Sequence, residues 1–191
     1  MERDDTIVER AQGGDAEAFR VLVERYSPKL FRLAWRLTGD ESAAEDAVQE
    51  TFLRAYRSLG RFDGRSEVGT WLHRIAVNTS LEIMRKHERR KDETPGENLP
   101  LPSSEPGPER TALSQEMERA VRAGMADLSS LERTAFVLRH FEGRSIAEIC
   151  ARLSLSPSAG KQAIFRAVIK LRRVLEPLVG RQEARSCETS R

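Results

Sequence analysis

A chain of 191 residues with 39% hydrophobic and 32% charged side chains has the composition of one or two small globular domains, which excludes a disordered tail or a membrane protein. No run approaches the apolar length of a spanning helix, and MERDDTIVER at the beginning is acidic and polar where a signal peptide is basic and then greasy, so a cytoplasmic location without membrane insertion is expected. The net charge of +2 conceals blocks of −3 over 1–60, +4 over 61–91, −5 over 92–128 and +6 over 129–191, and two separated basic blocks suit two contacts with a polyanion.

In chain order, Phe19, Leu22, Val23, Tyr26, Leu30, Ala34 and Leu37 recur at three and four residues, and Ala44, Val48, Phe52, Ala55, Tyr56 and Leu59 repeat the pattern. Both runs predict amphipathic helices. Gly39-Asp40 provides the break between them, and SAAE over 42–45 has the spacing of a capping box headed by Ser42. A third helix is predicted after Ser66, carrying Trp71, Leu72, Ile75, Ala76 and Ile83. The segment DETPGENLPLPSSEPGP, 92–108, has five prolines, two glycines and no apolar period, and reads as a flexible linker. Beyond it, SSLER over 129–133 and SIAE over 145–148 each place a Ser three residues before a Glu, the signature of a helix start. After SIAEICARL come SLS and Pro157, which suits a first helical turn because its missing N–H has no partner there anyway. Ile146, Ile149, Cys150 and Leu153 should therefore pack against Ile164, Ala167 and Leu171 in a helix-turn-helix.

No segment alternates apolar and polar residues with β-branched enrichment, so the expected fold class is all-α. The expected domains are a helical bundle over 1–91, the linker 92–108, a helix-turn-helix domain over 109–180 and a polar tail over 181–191. Cys150 and Cys187, with His73, His87 and His140 scattered singly, offer no zinc or disulfide spacing, so no metal or cofactor is expected. Cys150 follows the Ile146 and Ile149 stripe and reads as a small core hydrophobe, whereas Cys187 sits in the polar tail. No nucleophile, base and orienting group stand at a telling spacing, so no enzyme is expected.

Three surfaces stand out. The second predicted helix carries Asp40, Glu41, Glu45, Asp46 and Glu50 toward its beginning, where the helix dipole favours acids, and Arg54 and Arg57 toward its end. Gln49, Phe52 and Leu53 adjoin that acidic stripe, giving either an ordinary capped surface helix or a mixed face suited to a partner helix. Residues 61–91 combine the polar loop RFDGRSEVG with Arg74 and a far end bearing Arg85, Lys86, Arg89, Arg90 and Lys91. Holding single-stranded DNA needs cations that follow phosphates, a loop that approaches a splayed base and polar groups that read its edge, and this stretch has all three. With Gly160, Ile164, Ala167 and Leu171 buried, a 100° step sets Ser158, Gln162, Phe165, Arg166 and Ile169 on the opposite face, flanked by Lys161 and Lys170. Gln can read adenine, Arg guanine or phosphate, and an apolar group a thymine methyl.

DAVQETFLRAYRSLGRF, then TWLHRIAVNTSLEIMRK, a linker, LERTAFVLRHFEGRSIAEICARLSLS and FRAVIKLR together resemble the two-domain extracytoplasmic-function class of sigma factors in the sigma-70 family, over about 16–178. The resemblance implies a subunit that directs bacterial RNA polymerase core to promoter DNA and helps melt it, with an anti-sigma factor as a further partner. It places Asp46, Gln49, Glu50 and Leu53 on the clamp helices of the polymerase β′ subunit, and the C-terminal domain at the β flap. It assigns Arg61, Phe62, Arg65, Arg74, Asn78, Arg85, Lys86 and Arg89 to the −10 element, with Asn78 matching a recurrent asparagine of RIAxN. It assigns Ser158, Lys161, Gln162, Phe165 and Arg166 to the −35 element. Housekeeping relatives wedge the duplex with two aromatics where this chain has Trp71 followed by Leu72, and Trp71 shares an apolar stripe with Ile75. A core role for Trp71 is therefore expected in preference to stacking. Relatives carry a β-branched residue at Gly160 and basic residues at Val168 and Ile169, so a gap is expected beneath Gly160 that Ala or Val would fill. A helix-turn-helix regulator binding duplex DNA through 145–173, without polymerase docking, is the alternative.

Overall fold

The computed structural model describes the backbone of residues 2–93 and 112–188, with side chains over 2–89 and 116–177 apart from Glu118. These residues form α1 (Asp4–Gln12), α2 (Ala16–Thr38), α3 (Glu41–Ser58), a 3-10 turn (Leu59–Arg61), α4 (Val68–Glu93), α5 (Ala112–Ala126), α6 (Ser130–His140), α7 (Ile146–Leu153) and α8 (Pro157–Glu188). No strand occurs among the described residues, in keeping with the all-α expectation. The chain divides into two units, α1–α4 and α5–α8. Past Glu93 the expected linker lies outside the described residues, as do the side chains of 181–191, Cys187 included. No described helix is long and apolar enough to cross a membrane.

In the first unit, α2 starts where the Asp15 carboxylate accepts the N–H groups of Glu17 and Ala18 at 3.0 and 3.1 Å, and stops at Gly39 in the left-handed conformation, φ 73°. It runs through exposed Pro28. A proline inside a helix costs about 3 kcal/mol, which the burial of Leu22, Leu30, Leu33 and Leu37 around it outweighs at about 1.5–3 kcal/mol each. The cap of α3 is Asp40, accepting the Ala43 N–H at 2.8 Å, and not the expected Ser42, which lies inside the helix. A cap needs extended backbone, and Asp40, set free by the Gly39 turn, has it at φ −132°, ψ 132°.

The buried stripe of α3 is Ala43, Ala44, Ala47, Thr51, Phe52 and Ala55. Tyr56, expected within it, is instead 59% exposed, with its ring edge-on to Phe19 at 5.0 Å. Thr51 is tolerated in the core because its hydroxyl donates to the Ala47 carbonyl at 2.6 Å. Helices α2, α3 and α4 close on Ala34, Ala44 and Ala47, ringed by Phe31, Val48 and Ile83. Helix α1 buries Ile7, Val8 and Ala11, too short a stripe to have announced itself in the sequence.

In the second unit both anticipated capping boxes are present. The Ser129 and Ser145 hydroxyls accept the N–H groups of Glu132 and Glu148, and each Glu carboxylate accepts its serine's N–H in return. Helix α7 ends at Ser154, left-handed at φ 55°, and α8 opens at Pro157, giving the expected three-residue turn. Ile149, Cys150 and Leu153 are buried on α7, and Gly160, Ala163, Ala167 and Leu171 on α8. Ile164, expected in that stripe, is half-buried, and Ala163 takes the inner position. Leu128, Ala167 and Leu171 form a cluster covered by Met125 and Phe136.

Two contacts bind this unit. Lys170 donates to Glu132 at 2.8 Å and to the Asp127 carbonyl at 3.2 Å, tying α8 to the start of α6. Burial pushes the Glu132 carboxyl up, but the Lys170 ammonium and the Ser129 N–H outweigh it and hold the group below the usual carboxylate range. The second contact overturns the expected gap. A Cβ built on Gly160 would lie 2.3 Å from the Cys150 sulfur, which fills that space and donates to the Ser156 carbonyl at 3.5 Å.

Gly160→Ala therefore gains about 1 kcal/mol of helix propensity but overpacks a filled site at a cost of about 1–3 kcal/mol. We expect a net loss in urea unfolding of the full chain, recovered when Cys150→Ala is combined with it; additive losses would refute a shared space. Glu132→Gln keeps the capping-box acceptor but removes the charge facing Lys170, costing about 1 kcal/mol near neutral pH. Because the folded pKa of Glu132 is depressed, its contribution is present above the unfolded value and is lost as pH falls through the folded one. The difference between native and variant stability should thus close in acid, and a pH-independent difference would refute the linkage.

Candidate nucleic-acid and partner interfaces

The exposed face of α3 is built by exclusion, since its alanine side is spent on α2 and α4. Asp46, Gln49 and Leu53 are exposed along one stripe, Leu53 by 51%, and Tyr56 extends it by another turn. Glu50 does not join them freely. It is half-buried and accepts from Arg54 at 2.7 Å, while Arg54 reaches over to Glu82 of α4 at 2.8 and 3.1 Å. The bonds to Glu82 and then to Glu50 hold the Arg54 guanidinium more firmly protonated. Glu50 is thus part of a bridge between helices, whereas Tyr56, hidden from sequence reasoning by its apolar register, belongs to the surface.

Helix α4 starts where the Glu67 carbonyl accepts the N–H groups of Thr70 and Trp71 at 2.9 and 3.1 Å, and Val68, Leu72, Ala76 and Val77 bury one side. The opposite side carries Arg74, Asn78, Arg85 and Arg89, all exposed and within about 60° of one another by helical phase, over about 22 Å of axis. Lys86 is exposed one step to the side. Glu82 would interrupt this cationic stripe, but its charge is met by Arg54.

The loop before α4 presents Arg61 and Arg65 to solvent. Asp63 accepts the Arg65 N–H at 3.2 Å and pairs with its guanidinium at 2.9 Å, with Gly64 left-handed at φ 68° between them. An ion pair as exposed as this one holds Arg65 by no more than about 1 kcal/mol, so a phosphate can displace it. Phe62 is half-buried, its ring 4.9 Å from that of Trp71. Trp71 is itself half-buried at the edge of the core, whereas Leu72 is 1% exposed. The pair braces the loop from below.

On α8, Ser158, Lys161, Gln162, Phe165 and Arg166 are all exposed in the first three turns, with Phe165 64% open to solvent. Ile169 continues this face at 42% and Val168 lies beside it at 37%. Lys170, expected to flank the face, is committed to Glu132 and the Asp127 carbonyl, which leaves Lys161 and Arg166 as the cations of those turns. The capped α7, the tight turn and the Gly160–Cys150 contact position the start of the helix, and the Lys170–Glu132 bond and the cluster around Ala167 and Leu171 hold it farther along.

Among the described residues no group of acidic, histidine and cysteine side chains could hold a metal ion. The family Sigma-70 region 2 matches residues 22–90, and Sigma-70, region 4 matches 118–171. The chain is 35% identical to the RNA polymerase sigma-H factor of Pseudomonas aeruginosa, over 94% of this chain and 97% of that protein. It is likewise 35% identical to the ECF RNA polymerase sigma-E factor of Escherichia coli strain K12, over 93% and 97%. Among solved structures, CnrH in complex with the cytosolic domain of CnrY has TM-score 0.60 at 28% identity, covering 91% of this chain and 97% of that one. The sigma factor RpoE from Bartonella quintana, solved with the anti-sigma factor NepR, has TM-score 0.63 at 24% identity, covering 83% and 96%, and shares the fold. Matched along nearly the whole length of its curated relatives and in both regions, the chain belongs to the extracytoplasmic-function sigma factors of the sigma-70 family.

Proposed function

We propose that this sigma factor grips core RNA polymerase through the exposed stripe of α3 and reads promoter DNA at two places, the loop and stripe of α4 and the first turns of α8. The observation that carries the reading is the pairing, within one unit, of a mixed acidic, amide and apolar face on α3 with an exposed stripe of arginines on α4. A regulator of duplex DNA needs only the helix-turn-helix and leaves both unexplained.

Asp46 and Gln49 supply polar contacts to the β′ clamp helices and Leu53 an apolar anchor, with Tyr56 added to the set. Arg74, Arg85, Lys86 and Arg89 follow the phosphates of the displaced strand, and Arg61, Arg65 and Asn78 surround the base that the loop receives at the −10 element. Phe62 acts from beneath, against Trp71. At the −35 element Gln162 reads a base edge, Phe165 lies against a thymine methyl, and Ser158, Lys161 and Arg166 hold phosphate or guanine. The second unit also meets the β flap. In this reading the protein itself makes and breaks no covalent bond, works in the cytoplasm beside the polymerase, and is held in reserve by an anti-sigma factor, a reading supported by its place in the extracytoplasmic-function class.

Asp46→Arg with Leu53→Ala should weaken capture of core polymerase more than about tenfold with helicity unchanged, since both side chains are exposed and make no bond that α3 needs. Undiminished capture would remove this face from the interface. Replacing Arg85, Lys86 and Arg89 by Gln should lower promoter affinity across sequences and flatten its salt dependence by about 0.7 for each phosphate of a single strand that is no longer neutralised. Gln162→Ala should instead cost about 1–3 kcal/mol at a single −35 position. An equal loss on every promoter variant would show that Gln162 reads no base.

A further inference from the structure

We propose that α1 is a clamp that holds the loop between the 3-10 turn and α4 in the shape that receives an unpaired base, with Gln12 and Tyr26 as positioning residues. The inference rests on the reading of residues 61–91 as the single-strand surface. The matched Sigma-70 region 2 begins at residue 22, after α1 has ended.

The beginning of the loop is tied to this helix directly, and the far end through Tyr26 of α2, which α1 holds in turn. At its beginning, Gln12 at the end of α1 uses the two hydrogens of Nε2 to donate to the Leu59 carbonyl at 2.9 Å and the Phe62 carbonyl at 2.8 Å. Leu59 also accepts the Phe62 N–H at 3.0 Å, so the whole 3-10 turn is fixed to α1, and the Phe62 ring passes that constraint to Trp71. At the far end, Asp4 in the first turn of α1 accepts the Tyr26 hydroxyl and pairs with Arg25. The Tyr26 ring then lies flush on Gly69, where a Cβ would stand 2.7 Å from its Cε1. Gly69 is in the first turn of α4, so the glycine permits a contact that sets where the helix leaves the loop.

Between these two ties the loop has little to hold it. Residues 63–67 are all exposed, and their internal contacts are the short turn and ion pair of Asp63 with Arg65. A segment of that kind loses conformational freedom when it closes around a base, and anchoring both of its ends lowers that loss in advance. The helix doing the anchoring bears Asp4, Asp5 and Glu9 against Arg10, so its help to a polyanion is mechanical and not electrostatic.

The test uses the full chain and a labelled single-stranded oligonucleotide selected from a random pool by the unaltered protein. Gln12→Met keeps length and charge while removing both donors, and Tyr26→Phe keeps the ring on Gly69 while releasing Asp4. Each should weaken the oligonucleotide about three- to tenfold, with the slope of affinity against salt unchanged because every phosphate keeps its cation, and with duplex −35 binding unchanged. In a Trp35→Phe background, Trp71 should emit at longer wavelength in the Gln12→Met protein as Phe62 loosens. Unchanged oligonucleotide affinity in both variants would overturn the clamp, as would a loss matched by lower melting temperature and weaker duplex binding. Failure of the unaltered protein to select any single strand would instead strike the reading of the surface itself, and the clamp with it.

Discussion

The close approach of α2, α3 and α4 at Ala34, Ala44 and Ala47 is the constraint on which the first unit depends. Small residues at these positions let Phe31, Val48 and Ile83 pack against them, beside a core that also buries Leu30, Leu33, Leu37 and Leu72, so each helix turns one face inward and leaves the other to solvent. Outward-facing residues are then free to differ from helix to helix. On α3 they include Asp46, Gln49, Leu53, Tyr56 and Arg57; on α4 they include Arg74, Asn78, Arg85, Lys86 and Arg89, with Glu82 and Glu88 among them. A larger residue at any of these alanines would shift a helix and disturb the exposed faces of α3 and α4 at once.

The second unit solves a different problem, because its helix-turn-helix includes α7, an eight-residue helix that could not stand alone. Its stability comes from the ends. Ser145 and Glu148 satisfy the start of α7, a left-handed Ser154 closes it, and Cys150 reaches into the space left by Gly160. Glu132 does two jobs, closing the α6 cap and holding Lys170. That second job takes a cation away from the exposed face of α8, which carries fewer free charges than its sequence suggests, with Phe165, Val168 and Ile169 exposed beside them.

Function in such a protein is a matter of which charges are free. Arg54 is shared between Glu50 and Glu82, while Arg74, Arg85 and Arg89 stay exposed along the same helix as Glu82. Surface ion pairs contribute little to stability, so the importance of the Arg54–Glu82 pair lies in the negative charge it draws off the exposed side of α4.

What the sequence by itself determined is everything whose signal lies within a few turns: the helices of apolar period, the two Ser-to-Glu capping boxes, the turn before Pro157, and the clustering of arginines after residue 61. These depend on residues at most a few positions apart, which a window along the chain captures. Even there one local signal competed with another, and Asp40 displaced Ser42 because the left-handed Gly39 decided where extended backbone fell. Tertiary structure decided the rest. It placed the Cys150 sulfur against Gly160, took Lys170 for Glu132 and Glu50 for Arg54, turned Tyr56 outward, and set Gln12 on carbonyls 47 and 50 residues away. Sequence spacing carries no trace of such contacts, because a side chain's partner across the core is chosen by how helices pack and not by its place in the chain.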